Sequence, residues 1–148
     1  MKKLSETYKE LGIDFNFPIE IKDDNGLETY YEDDNGFWRK NEYDANGNEI
    51  YYEDSNDYWF KYEYDADGRE TYYENSDGYW RRIENDADGN RTYFEDHTDY
   101  WSKYEYDNYG NCTYYENSDG DKKGTPRSQS CDGKVIEIDG KKYKLTEL

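Results

Sequence analysis

This chain of 148 residues is poor in aliphatic side chains. Between Arg39 and Gly120 it has no leucine, valine or methionine, and only Ile50 and Ile83 exceed alanine in aliphatic size. An ordinary core of interlocking aliphatic residues is therefore excluded over that stretch. Two cysteines, Cys112 and Cys131, are too few for a disulfide scaffold, and two free thiols in a reducing cytoplasm are expected. Cys112 also lacks an identifiable base to make it a nucleophile. The single histidine, His97, has no second imidazole with which to build a zinc site. It occupies a position where other repeats carry Ser55, Ser76 and Ser118, so an exposed turn residue is expected. No apolar run reaches signal-peptide or membrane-span length, and neither export by that route nor membrane insertion is expected. Basic residues are also scarce. The 19 Lys and Arg against 37 Asp and Glu leave a net charge of -18. Such a chain repels nucleic acid and anionic membrane and attracts basic proteins or cations.

What is present is a repeat of tyrosine, tryptophan and acid every 21 residues. Tyr30-Tyr31-Glu32, Tyr51-Tyr52-Glu53, Tyr72-Tyr73-Glu74, Tyr93-Phe94-Glu95 and Tyr114-Tyr115-Glu116 fall in register. So do Trp38, Trp59, Trp80 and Trp101, and Gly26, Gly47, Gly68, Gly89 and Gly110. A period of this length marks a repeat architecture, which offers a surface of equivalent units and argues against an enzyme. Low hydrophobicity with high charge would ordinarily mean disorder. The 20 tyrosines supply large apolar area with strand preference, so a tyrosine-rich sheet is expected instead.

Each repeat carries two turn signals, such as Ala66-Asp67-Gly68 and Ser76-Asp77-Gly78, with segments of about seven residues between them. The pattern predicts an antiparallel meander with two strands per repeat and near ten strands in all. With a short loop, Asp65 should face Arg69, Tyr64 face Glu70, Tyr62 face Tyr72, and Lys61 face Tyr73. A parallel coil is less favourable because it would stack like charges about 4.8 Å apart.

Residues 1–12 read as an amphipathic helix, with Leu4, Tyr8 and Leu11 on one face and Gly12 as its stop, covering the first edge of the sheet. The organisation expected is an N-terminal helix and cap over 1–21, a repeat array over 22–120, a linker over 121–130 and a β-hairpin over 131–148. That hairpin should turn at Asp139-Gly140 and cap the array with Val135, Ile136, Ile138 and Leu145. The fold class is all-β, an elongated antiparallel β-repeat meander with a short N-terminal helix and a C-terminal hairpin cap.

The acidic pairs Asp65-Ala66-Asp67 and Asp86-Ala87-Asp88 resemble the start of a calcium loop, but the terminal glutamate is missing at the required separation. Turn formation is the simpler role, and no cofactor or metal is expected. The tryptophans are the largest apolar units and should form the packed seam. The competing reading is a row of aromatic cages for sugars or choline-like cations.

Tyr62-Glu-Tyr-Asp-Ala-Asp-Gly-Arg69 and Tyr104-Glu-Tyr-Asp-Asn-Tyr-Gly-Asn111 resemble the tyrosine–aspartate repeats of Rhs and related toxin-shell proteins, over roughly residues 22–120. In that family such repeats build a β-shell around a cargo, so the resemblance implies a repeat fold. The chain is short for a shell, lacks the usual leucine after Gly-Arg and has no cargo segment. Looser similarities are to choline-binding repeats and MORN-type repeats. The whole chain, small and intensely acidic, resembles phage-encoded inhibitors of host defence, which implies a place in the host cytoplasm. The function expected is non-enzymatic. The acidic chain would occupy a basic surface of a partner protein, a nucleic-acid-binding groove among the possibilities, and so act as a nucleic-acid-mimicking inhibitor. The alternatives are an aromatic-repeat ligand-binding module for glycans or choline-like cations, or a purely structural repeat. Partner-binding candidates are Glu32, Glu53, Glu74, Glu95, Glu116, Tyr52 and Tyr73. Structural candidates are the four tryptophans with Gly47, Gly68, Gly89 and Gly110. Neither nucleic acid nor membrane is an expected direct partner, and exposed sheet edges offer a route to a homo-oligomer.

Overall fold

The computed structural model describes residues 3–127, 135–138 and 140–145. Ten turns set the architecture, and all are built alike. Each opens with Asp or Asn, at 23, 33, 44, 54, 65, 75, 86, 96, 107 and 117. In each, the N–H three residues on donates to the opening carbonyl, and the opening N–H donates to the carbonyl four residues on. The opening side-chain oxygen, of a carboxylate or of the Asn75 or Asn117 amide, closes the loop from inside. Asp65 Oδ1 accepts the backbone N–H of Asp67 and of Arg69, both at 2.9 Å. The residue three positions into each turn must take positive φ, which glycine does without steric cost. Gly47, Gly68, Gly89 and Gly110 lie at φ 86°, 77°, 88° and 79°. Asp57 and Asp99 hold the same position at φ 62° and 64°, so the exceptions to glycine are aspartates.

Between the turns run the strands β1 (Ile19–Lys22), β2 (Glu28–Glu32), β3 (Trp38–Tyr43), β4 (Glu49–Asp54), β5 (Trp59–Tyr64), β6 (Glu70–Asn75), β7 (Trp80–Asn85), β8 (Arg91–Asp96), β9 (Trp101–Tyr106), β10 (Cys112–Asn117) and β11 (Lys122–Gly124). They form one 11-stranded sheet in chain order, an antiparallel meander. The chain divides into two compact units, Met1–Arg81 and Arg82–Leu148.

The strand register departs from the expected one by a single residue. Tyr64 does face Glu70, but Tyr62 faces Tyr73 and Lys61 faces Glu74. A β-bulge between Glu63 and Tyr64 passes over Thr71 on the opposite strand. The same irregularity skips Thr29, Ile50 and Thr113 in the corresponding hairpins. Thr29 and Thr113 donate their hydroxyls to the carbonyls of Ile21 and Glu105, each at 3.2 Å, which ties the extra residue to the facing strand.

The N-terminal helix α1 (Leu4–Lys9) is shorter than its expected span, and it lies on a sheet face where the sequence suggested an edge. Its Leu4, with Phe15, packs on the buried cluster Ile19, Tyr30 and Trp38. Tyr8 meets Phe15 edge-on at 5.7 Å while part of its surface stays exposed, and Leu11 is exposed, so the predicted helix stripe is used at its first two residues. Gly12 does take positive φ after the helix. The C-terminal hairpin pairs β12 (Val135–Ile138) with β13 (Lys141–Lys144) as a separate two-stranded sheet. Val135, Ile136 and Ile138 are exposed, so they do not cap the array as expected. Cys131, Asp139 and positions 128–130 of the expected linker lie outside the described residues. Cys112 is a free, exposed thiol.

Candidate functional site

Strand alternation sorts the repeat residues onto two unlike faces. In the first unit one face mixes tyrosine, tryptophan and charge. Lys40 lies opposite Glu53, which lies opposite Trp59; Glu42 lies opposite Tyr51, which lies opposite Lys61. Along the strands, Tyr51 donates its hydroxyl to Glu53 Oε2 at 2.9 Å, and Tyr72 donates to Glu74 at 3.1 Å. Burial, then that hydrogen bond to Glu53, pushes the Tyr51 hydroxyl up to about 12. Lys61 pairs with Glu63 at 3.1 Å, and Lys40 with Glu42. The Lys40 ammonium also stands 5.5 Å from the centre of the Tyr51 ring. Between these side chains, beside the bulge residue Ile50, runs an open groove of about 730 Å³.

The other face is an aromatic ladder. Tyr52 stacks on Phe60 at 5.1 Å, Phe60 meets Tyr62 at 5.4 Å, Tyr62 meets Tyr73 at 4.7 Å, and Tyr73 meets Tyr79 at 5.9 Å. Such contacts add to area burial and replace the missing aliphatic core with a surface lattice of rings. Two guanidiniums are set into it. Arg39 lies 4.5 Å over Tyr31 and holds Glu28 through two hydrogen bonds of 2.6 and 2.9 Å. Arg81 lies 4.8 Å over Tyr73 and grips Glu70 likewise, a partnership that raises the guanidinium pKa. Glu49 has Phe60 where those two carboxylates have arginine, and burial pushes its carboxyl up.

The second unit repeats the pattern. Glu95 faces Trp101 and Glu116 faces Lys103 on the charged face; Tyr104 packs on Tyr115 at 5.1 Å on the aromatic face. A groove of about 490 Å³ again opens beside the tyrosine and lysine, here Tyr93 and Lys103, with Pro126 along one side.

The candidate partner-binding residues therefore do not form one surface. Glu53 and Glu74, and in the second unit Glu95 and Glu116, lie on the charged face, whereas Tyr52 and Tyr73 belong to the aromatic face. Glu32 is only 1% exposed, covered by α1. The tryptophans sit among the glutamates, outside the aromatic ladder. Trp38 is buried, whereas Trp59, Trp80 and Trp101 are half-buried. Phe60, Tyr62, Lys40 and Lys61, which shape both faces, were visible only through alternation combined with the true register. His97 is exposed in its turn, as expected. Among the described residues no cluster of His, Cys, Asp and Glu is arranged to hold a metal ion, and no helix is long and apolar enough to cross a membrane.

The charge is divided as well. Every aspartate from 23 to 121 lies within a turn, and every glutamate from 28 to 116 lies on a strand. The strand glutamates are interleaved with lysine and arginine, so the acidic excess sits along the turns.

No family model matches the chain, and no curated protein matches it. Among solved structures it is similar to part of a chain in the crystal structure of TcdB2-TccC3-Cdc42, with TM-score 0.40 and 18% identity over 66% of this chain and 7% of that one. For TcdB2-TccC3-TEV the values are 0.42 and 15%, over 78% and 8%. For the Photorhabdus luminescens Tc holotoxin pore they are 0.32 and 16%, over 68% and 9%. The chain thus spans less than a tenth of the length of each.

Proposed function

We propose that this chain is a non-catalytic interaction repeat whose charged face engages a basic partner protein. The observation that carries this reading is the half-buried state of Tyr51, Glu53, Trp59 and Lys61. Large rings and pre-set ion pairs lie together at a surface that, among the first unit's described residues, no helix or strand beyond α1 covers. Sheets of globular domains bury one face against another layer. A face that combines aromatic area with ordered charge and stays open is suited to a partner. The aspartate-lined turns supply long-range attraction to a basic protein, and the strand residues supply the close contacts. The alternation of Glu53 and Glu74 with Lys40 and Lys61 favours a protein surface over imitation of a nucleic-acid backbone.

Pull-down from lysate at about 0.1 M and about 1 M salt, followed by kinetics on the captured protein, tests this division. Reversing Asp34 and Asp77 to lysine should slow association at low salt only, while Glu53→Gln with Glu74→Gln should speed dissociation at both. Binding that ignores salt and all four changes would refute the reading.

A second reading has its own observation. The ladder Tyr52, Phe60, Tyr62 and Tyr73 is a partly open aromatic surface of stacked and tilted rings, suited to sugar rings or an organic cation. Titration with choline and with oligosaccharides, following tryptophan and tyrosine fluorescence, separates it from the first.

A further inference from the structure

The first repeat already binds a polypeptide segment, and the groups that do so recur uncovered in the second. At the first repeat the Tyr30 hydroxyl donates to Glu32 at 2.9 Å, and Glu32 lies opposite Trp38. Onto this triplet folds the start of α1. The Leu4 N–H donates to the Tyr30 oxygen at 3.1 Å, the Ser5 N–H donates to Glu32 Oε2 at 3.1 Å, and the Ser5 hydroxyl donates to Glu32 Oε1. Leu4 itself rests on the Ile19, Tyr30 and Trp38 cluster. One repeat later, the Tyr51 hydroxyl donates to Glu53 at the same 2.9 Å, and Glu53 lies opposite Trp59. This second triplet is half-buried, and its Tyr51 and Glu53 line the open groove.

The second unit shows the same face receiving chain in another way. The Arg127 N–H donates to the Glu105 carboxylate at 2.6 Å, and Pro126 lines the groove there. In both units, then, a strand glutamate of the charged face accepts a backbone N–H from a segment outside the repeats.

We propose that the groove lined by Tyr51 and Glu53, with Trp59 opposite Glu53 on the next strand, is a docking site for a partner's helical first turn carrying leucine followed by serine or threonine. The inference rests on the reading of the charged face as an interaction surface, and it names the chemistry of the partner. The leucine lies on Trp59, and the following N–H and hydroxyl donate to Glu53, as Leu4 and Ser5 do at the first repeat. The flanks differ in a way that specifies the partner further. Opposite Glu32 and Tyr30 stand Ile19 and Ile21, but opposite Glu53 and Tyr51 stand Lys40 and Glu42. The second site therefore asks for an acid and a base where the first takes apolar side chains.

The test adds a synthetic peptide with the sequence of residues 3–12 to the full-length protein, whose own α1 keeps the first site filled. Isothermal titration and amide shifts are read together. Saturable binding is expected, with shifts centred on Tyr51, Glu53 and Trp59, weakened at least about tenfold by Glu53→Gln or by alanine at the peptide's serine, since a hydrogen bond to a charged group has that weight. Glu53→Gln keeps an acceptor for Tyr51, and an unchanged melting temperature shows that the fold is intact. Binding indifferent to both changes, or shifts confined to the aromatic face, would overturn the site. If the protein alone self-associates and the peptide dissociates it, the occupant is a second copy and the partner assignment falls. If the peptide fails while a salt-sensitive partner is still captured, the groove is wrong and the broader interaction reading stands.

Discussion

Replacing an aliphatic core with tyrosine makes this fold sensitive to alkali. Tyr30 is buried, and desolvation, opposed by the Leu4 backbone hydrogen bond and reinforced by Glu32, pushes its hydroxyl from 10.0 up to about 12. A group whose proton is held more tightly in the folded chain contributes stability that is complete below its unfolded value. That contribution is lost as pH rises through the folded value, so the window runs from about pH 10 to about pH 12. For Tyr30 alone the rise corresponds to about 3 kcal/mol. Tyr51 rises similarly, but it is half-buried, and screening by water reduces its share to about half of that. Tyr52, Tyr62, Tyr64 and Tyr72 shift in the same direction, with burial as the leading cause. Tyr30 and Tyr51 together contribute about 4 kcal/mol, a large share of a small domain's stability. Urea unfolding followed by circular dichroism at pH 8 to 12 should show a midpoint that holds to about pH 10 and then collapses. Tyrosinate absorbance from the buried and half-buried rings should appear with unfolding and not before it. The variant Tyr30→Phe should lose part of the pH dependence. A folded protein whose tyrosines ionise freely near pH 10, with no loss of stability, would refute the reasoning.

The buried and half-buried tryptophans should respond differently. Trp38→Ala should cost about 3–5 kcal/mol in urea melts, and Trp59→Ala roughly half as much, because only Trp38 is covered; equal costs would contradict the assignment. Replacing Asp57 or Asp99 with glycine should raise stability by about 0.5–1 kcal/mol, since each holds the positive φ that glycine takes elsewhere, whereas Gly68→Val should lower it by more than about 1 kcal/mol. Hydrogen bonds from Asn48 to Asp44 and from Arg69 to Asp65 hold those carboxyls below the usual range. Carboxyl NMR titrations should therefore give midpoints under about 3.9, with the turns' contribution complete above that value and lost as pH falls through the depressed ones; ordinary midpoints would remove it.

The turns, the antiparallel order and the helix were legible because each rests on local chemistry. An Asp or Asn closing a loop through its own side-chain oxygen, with glycine or aspartate three residues on, needs no knowledge of the rest of the chain. The placement of α1 was less legible. Its stripe of Leu4, Tyr8 and Leu11 promised a broad apolar contact, yet only Leu4 rests on the sheet cluster and Tyr8 reaches no further than Phe15, because Glu32 and Tyr30 hold the helix start by hydrogen bonds. Periodicity reports which residues could be buried and says nothing of a carboxylate waiting beneath. The tryptophans misled for a related reason. Size suggested a seam, and Trp38 does join the buried cluster, but alternation puts Trp38, Trp59 and Trp101 opposite glutamates on the charged face, while smaller tyrosines build the ladder on the other.

The bulge explains why the site in particular was hard to read, and it follows from the parity of the repeat. Side chains alternate along a strand with period two, so a register shift of one residue exchanges the faces. Two plain hairpins per odd-numbered repeat would move the pairing by one residue relative to the sequence period. Tyr51 and Tyr72 would then face opposite sides, and the repeats would not be equivalent in space. One skipped residue per repeat, Ile50 or Thr71, restores the parity. It sets Trp59 two strands across from Lys40, where the sequence period alone would put Lys61, so each repeat advances by a stagger of two residues and keeps its faces. The expected pairing of Lys61 with Tyr73 omitted this residue and so mixed the two faces. With the bulge in place, Lys61 meets Glu74 and Tyr62 meets Tyr73, and charge and aromatic area separate. Thus an odd period with two hairpin signals is itself evidence for a bulge. The residue that supplies it is the one just before the paired-aromatic motif, Thr29, Ile50, Thr71 or Thr113, and Thr92 at the same sequence position is β-branched too.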